Sequence, residues 1–130
     1  MSEIKVDTLT GKTTANDITV TVGATATQSL EQGLAKAWCH FEGDAATVSI
    51  LDGLNHASIS DLGTGRYSVT YTNSFSSTYY SANVTGSTNR SGTVDSDSNA
   101  TGGISYEFFH TTSTKADPAQ AYVSIHGDLA

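Results

Sequence analysis

The chain has 130 residues, of which 37% are hydrophobic and 15% charged, and its excess of acidic residues gives a net charge of -7. A chain of this length suits one globular unit with a modest core, and its negative charge argues against nucleic acid as a partner because a phosphate backbone would be repelled. No apolar run approaches the roughly 20 residues of a membrane-spanning helix, and a single cysteine, Cys39, excludes an intrachain disulfide.

The first part of the chain differs from the rest because residues 2–28 contain no aromatic side chain. Two thin apolar patterns run through it, the second alternating with threonines, and their members are Ile4, Val6, Leu9, Ile18, Val20 and Val22. Two strands with so little bulk cannot form a core alone. We therefore predict that residues 1–28 form an extended β arm that serves assembly; the alternative is a pair of edge strands in one larger sandwich.

The segment that follows Gln28 holds the only predicted helix. Ser29 and Gln32 have the spacing of a capping box, and Leu30, Leu34 and Trp38 would share one helical face. A central glycine at position 33 limits the helix to one or two turns. We assign Leu30, Leu34 and Trp38, together with the apolar residues of the arm, to an assembly interface.

From residue 35 onward, turn signals recur at the spacing of a β-sandwich. The clearest strand follows Gly63 and Gly65, where Tyr67, Val69 and Tyr71 alternate with polar residues. Further strands are predicted over residues 35–42, 47–51, 57–60, 78–86, 103–111 and 121–126, with turns at 42–44 and 52–53. The segment 87–102 is poor in bulky apolar residues and is predicted to be a long exposed loop.

These patterns predict an all-β fold. Residues 29–130 form a small antiparallel β-sandwich of about seven strands, jelly-roll-like, after the extended N-terminal β arm and one short helix.

No motif in the chain points to catalysis or to a cofactor. The four histidines at positions 40, 56, 110 and 126 share no ligand spacing, and the run Asp95–Asn99 lacks the glycine and glutamate of a calcium loop. No Gly-x-Ser-x-Gly elbow occurs. We predict that the protein is not an enzyme. The aromatic residues Trp38, Tyr79 and Phe109 are predicted to be exposed, and Tyr79 and Phe109 are candidates for surface adhesion.

Three blocks of the chain resemble short virion proteins of tailed phages that infect cyanobacteria and other aquatic bacteria. They are residues 2–13, SEIKVDTLTGKT; residues 30–38, LEQGLAKAW; and residues 63–75, GTGRYSVTYTNSF, with Tyr80 following. The ending over residues 121–127 is also similar to the closing strand of that group.

The resemblance implies a tail-fibre-like structural component of the virion, built as a homotrimer that contacts other virion proteins of the capsid or tail through its arm. It leaves open whether the component is a tail fibre, a head fibre or a capsid decoration protein. The alternative function is a carbohydrate-binding adhesion module that recognises host surface glycans.

Overall fold

The computed structural model of the protein describes residues 3–12, 18–87, 89–110 and 113–130, with only the backbone of Val22 and Ser96. The chain divides into two compact units, an N-terminal unit over Met1–Leu34 and a sandwich unit over Ala35–Ala130. The boundary falls after Leu34, whereas the sequence placed it after Gln28, because Gln28 is part of a strand in the N-terminal unit. Within the described ranges, no helix has the length and apolarity needed to cross a bilayer.

The N-terminal unit contains an antiparallel hairpin of β1 (Thr19–Val22) and β2 (Ala26–Ser29). Its turn uses Gly23 at a φ of 79°, a conformation that favours glycine. After β2 the Ser29 hydroxyl accepts a hydrogen bond from the Gln32 amide at 3.4 Å, and the Gly33 amide donates to the Ser29 carbonyl at 3.2 Å. The prediction of a short helix was wrong, because residues 30–34 form a hydrogen-bonded turn and no helix.

The sandwich unit consists of eight antiparallel strands in one sheet of order β4-β3-β10-β7-β8-β9-β6-β5. The strands are β3 (Ala37–Phe41), β4 (Ile50–Leu54), β5 (His56–Gly63), β6 (Arg66–Tyr71), β7 (Ser81–Gly86), β8 (Arg90–Val94), β9 (Gly103–His110) and β10 (Ala121–His126). One 3₁₀ turn, Ser96–Ser98, precedes β9.

The sheet folds back on itself and is nearly closed. On one side, β7 and β8 pair with Thr85 opposite Ser91. At the other side, the two edge strands β4 and β5 are consecutive in the chain and are joined by Asn55 alone, at a φ of 60°. The Asn55 side chain holds this corner, since its oxygen accepts from the Asn73 amide at 2.7 Å and its nitrogen donates to the Asn73 carbonyl at 3.0 Å. The predicted all-β sandwich class is confirmed.

The core lies between the two halves of the folded sheet. Every second residue of β3, β6 and β10 is buried, as the period of two in the sequence predicted. In β9, Ile104, Tyr106 and Phe108 are buried, and Ser105 between them is buried as well. The fully buried rings of Phe41, Tyr67 and Phe108 meet at centroid distances of 5.1 to 6.1 Å, in tilted and edge-to-face arrangements that aromatic pairs favour.

Two further local predictions were wrong. The segment 87–102 is not a long loop, because it contains β8 and the 3₁₀ turn. In β8, a Cβ on Gly92 would stand 2.6 Å from Val84 Cγ1 and 3.0 Å from Phe108 Cε1, so the neighbouring strands leave no room for a side chain there. Asp52 and Gly53 do not form a turn but lie within β4, where a Cβ on Gly53 would stand 2.8 Å from the Trp38 carbonyl oxygen.

Tyr67 ties three loops of the sandwich unit together. Its buried hydroxyl lies 2.8 Å from the Gly43 carbonyl oxygen and 2.7 Å from Asp117 Oδ1. The same Asp117 oxygen accepts a hydrogen bond from the Gly65 amide at 2.6 Å. The loops after β3, between β5 and β6, and before β10 therefore meet at one buried hydroxyl.

Candidate functional site

The first group of predicted assembly residues lies on extended chain at the start of the N-terminal unit. Ile4, Val6 and Leu9 expose 86%, 60% and 57% of their surface, and the described residues 3–12 contain no strand. Burial of such apolar side chains away from water is favourable by about 25 cal/mol per Å² of apolar surface. They are available for contact with another surface.

The hairpin carries the second group. Val20 is exposed, Ile18 and Leu30 are half-buried, and Leu34 is exposed; the side chain of Val22 lies outside what the structure describes. Val20, Leu30 and Leu34 line a shallow groove of about 220 Å³ together with Gln28, Ser29 and Gly33. The hairpin thus presents an apolar groove of its own.

Trp38, the last predicted assembly residue, belongs to the sandwich unit. It lies on β3 between Ala37 and Cys39, which are buried, so its ring is on the outer face of the sheet, where 37% of it is exposed.

The two candidate adhesion residues have different surroundings. Tyr79 lies in the loop before β7 and is 94% exposed. Phe109 is half-buried, and the Lys115 ammonium lies 5.9 Å from its ring centroid.

The sequence analysis missed a surface that the strand register assembles on the outer face of β3, β4, β7 and β10. Side chains of paired residues lie on the same side of a sheet. One row across the strands contains Thr85, Tyr122, His40 and Asp52, and the adjacent row contains Asn83, Ser124, Trp38 and Leu54. We call these eight residues the outer face. An aromatic residue on the polar side of the last strand, Tyr122, was the available signal.

The two rings in the first row of the outer face are held in place. The His40 and Tyr122 rings stack with centroids 4.7 Å apart and an angle of 14° between their planes. His40 Nε2 is hydrogen-bonded to the Gln120 side-chain oxygen, and the Gln120 amide nitrogen donates to Glu42 Oε1 at 2.9 Å. The Tyr122 ring, which is 48% exposed, therefore rests on an imidazole with a fixed orientation.

Next to Tyr122 the outer face is hollowed into a groove of about 290 Å³. The groove is lined by Asn83, Thr85, Tyr122, Val123 and Ser124. Across the described part of the chain, the side chains of Asn83, Thr85 and Ser124 have no hydrogen-bond partner. Each carries both donor and acceptor capacity.

Possible metal ligands do not converge. Among the described residues, no three histidine, cysteine, aspartate or glutamate side chains gather closely enough to hold an ion. In the Asp95–Asn99 segment, the Asp95 carboxylate accepts from the Asp97 amide at 3.3 Å and faces Arg66 Nη2 at 3.3 Å. Its oxygens are thus already engaged by donors from the protein.

The nucleophilic groups of the core are held in their protonated forms. Cys39 is buried beneath the sheet, and desolvation raises the pKa of its thiol to about 12. Burial also raises the pKa of the Tyr106 and Tyr71 hydroxyls well above the usual range. A thiol or phenol reacts as its anion, and burial makes these anions unfavourable at neutral pH.

The fold and its surfaces define an all-β protein in which a small hairpin unit precedes a nearly closed β-sandwich. No family model matches the chain, and neither a curated protein nor a solved structure matches it significantly.

Proposed function

We propose that the protein is a structural component of a phage virion, either fibre-like or a capsid decoration, that assembles as a homotrimer. The N-terminal unit attaches to the particle and to sister subunits, and the sandwich unit is the exposed knob. The observation that carries this proposal is the contrast between the units: Ile4, Val6 and Leu9 are mostly exposed, while the sandwich unit encloses a complete aromatic core.

Two lines of argument support it. The three sequence blocks resemble virion proteins, and one of them covers the exposed residues 4–9. The N-terminal unit also exposes several apolar side chains beside a two-stranded hairpin, and such a hairpin is marginally stable alone. Such a segment gains stability when it buries its apolar side chains against other subunits.

The mass of the purified full-length chain in solution tests the assembly. Light scattering at two protein concentrations should give the mass of three chains. The double variant Ile4→Ser with Val6→Ser should lower this mass toward that of one chain, because it removes apolar surface from the proposed contact.

A matched control is the double variant Leu51→Ser with Leu62→Ser. These leucines are 51% and 49% exposed, but they lie in the sandwich unit on β4 and β5. The control should keep the trimer mass. A wild-type monomer at both concentrations, or an equal effect of the two double variants, would contradict the proposed role of the arm.

A truncation separates attachment from folding. Removal of residues 1–34 should leave a cooperatively folding sandwich unit, since its core residues all lie beyond Leu34. The truncated protein should no longer co-sediment with virus particles that lack the full-length protein. If the truncated chain fails to fold, the N-terminal unit contributes to the core and the division of roles is wrong.

A further inference from the structure

We infer that the groove beside Tyr122 on the outer face is a binding site for a neutral saccharide. The groove lies within the sandwich unit and uses none of the arm residues, so this inference goes beyond the assembly role and does not depend on it.

The shape and size of the groove suit one or two sugar rings. Ligand sites in proteins begin at about 300 Å³, and the groove of about 290 Å³ is at that lower limit. It is open along a sheet surface, which suits a unit within a glycan chain better than a molecule that must be fully enclosed.

The side chains that line the groove match both the face and the edge of a pyranose ring. A sugar presents C–H groups on one face, and these pack on the electron-rich face of an aromatic ring such as Tyr122. Around its edge it presents hydroxyl groups that both donate and accept hydrogen bonds. Asn83, Thr85 and Ser124 offer the same dual capacity, and their side chains form no hydrogen bond within the described part of the protein.

The rigidity of the ring favours binding. Tyr122 is stacked on His40, which is in turn hydrogen-bonded to Gln120 and so to Glu42. A side chain that is already ordered loses little conformational entropy when a ligand packs on it. The stacked pair therefore presents a preformed platform.

The charges around the groove select against anionic ligands. No lysine or arginine lines the groove, and phosphate or carboxylate recognition relies on such residues. Two acidic residues lie near the groove: Glu42 accepts a hydrogen bond from Gln120, and Asp52 is in the same row of the outer face as Tyr122. The chain as a whole carries a net charge of -7. A neutral hexose or N-acetylhexosamine fits this environment, and a uronic acid does not.

A second copy of the chain is the competing occupant, because Trp38 and Leu54 are also exposed on this face. The polar side chains of the groove favour the saccharide. A flat apolar contact with a second copy would bury Asn83, Thr85 and Ser124 without partners, which costs free energy, whereas the hydroxyl groups of a sugar can hydrogen-bond to them.

The test uses the full-length protein and four probes: D-glucose, D-galactose, D-mannose and N-acetyl-D-glucosamine, each titrated to about 10 mM. At least one should bind with a dissociation constant of about 1 mM, the weak range expected for a single sugar in an open groove. Emission from Trp38, the only tryptophan of the chain, reports binding because Trp38 pairs with Ser124 of the groove. Amide shifts of Asn83, Thr85 and Ser124 in nuclear magnetic resonance spectra provide a second readout.

Three variants locate the site. Tyr122→Ala should weaken binding at least about tenfold, as expected for a central aromatic contact, and Asn83→Ala should weaken it less while removing no packed side chain. Leu62→Ala, which shortens an apolar side chain that is 49% exposed on β5 and away from the groove, should leave affinity unchanged. D-glucuronate should bind more weakly than D-glucose.

Three results would overturn the inference. They are the absence of any shift with all four sugars, an equal loss of affinity in Tyr122→Ala and Leu62→Ala, and a lower solution mass for Tyr122→Ala. The last result would show that a second copy covers the groove. If Tyr122→Ala does not fold, the test rests on Asn83→Ala. The site would then be refuted if Asn83→Ala bound the sugar with the same affinity as the wild type and showed the same amide shifts at Thr85 and Ser124.

Discussion

Replacement of Tyr67 by phenylalanine tests whether one buried hydroxyl holds the three loops of the sandwich unit. The substitution keeps the ring, which is 0% exposed, and removes only the hydroxyl that lies 2.7 Å from Asp117 Oδ1 and 2.8 Å from the Gly43 carbonyl oxygen. Loss of a hydrogen bond to a charged group costs about 1.5–3 kcal/mol. Water can reach the half-buried Asp117 and offset part of this loss of stability. Gly43 is buried, so its carbonyl oxygen loses a hydrogen-bond partner.

We therefore expect Tyr67→Phe to lower the free energy of unfolding by about 2 kcal/mol. For a unit of this size, that corresponds to a fall in Tm of about 10 °C. Urea unfolding should show a lower midpoint with an unchanged slope, since the core and its buried area are the same in both proteins. Burial, with Asp117 as a further cause, raises the pKa of Tyr67 well above its usual range, so the hydroxyl stays a donor throughout.

Tyr122→Phe is the control, because it makes the same chemical change on a side chain that is 48% exposed. It should change stability by less than about 0.5 kcal/mol. If the two variants unfold at the same urea concentration, the Tyr67 hydroxyl does not hold the loops. A combination with Asp117→Ala should cost less than the sum of the single changes, since each change removes the hydrogen bond between Tyr67 and Asp117.

Three further predictions concern the pH dependence, the thiol and the turns. Burial lowers the pKa of His56, so as the pH falls the unfolded chain binds a proton near pH 6.5 before the folded protein does. The free energy of unfolding should therefore decrease as the pH drops below about 6.5. In urea titrations, His56→Gln should make this decrease smaller. Cys39, with a pKa raised to about 12, should resist a thiol reagent at about pH 8 until denaturant is added. Gly65→Ala should destabilise the fold by about 2 kcal/mol more than Gly63→Ala, because both have positive φ but only at Gly65 would a Cβ stand 2.5 Å from a backbone oxygen.

The sequence predicted those strands in which burial alone dictates the pattern. In β6, β9 and β10 one face enters the core and the other meets water, so the alternation of Tyr67, Val69 and Tyr71 with polar residues is visible in the chain itself. The alternating pattern does not reveal a strand where side chains of neighbouring strands occupy the space beside its backbone. Gly92 of β8 lies against Val84 and Phe108, and a strand that needs no bulky side chain resembles a loop.

The outer face could not be predicted in the same way. Asn83 and Ser124 are neighbours only because β7 pairs with β10, and this pairing joins segments far apart in the chain. A register shift by one residue would turn Tyr122 into the core and destroy the groove. Individual exposed aromatic residues were foreseen, but their arrangement depends on the sheet topology.

The corner at Asn55 has a consequence for aggregation. Exposed sheet edges invite other chains to add strands, and proteins protect them with bulges, charges or closure. Here both edge strands meet at one residue, β5 has register shifts near both of its ends, and acidic residues lie at Asp52 and Asp61. Sandwich units at high concentration should therefore not pair through their edge strands. If chains do pair by strand addition, the hairpin of β1 and β2 is the more accessible place for it.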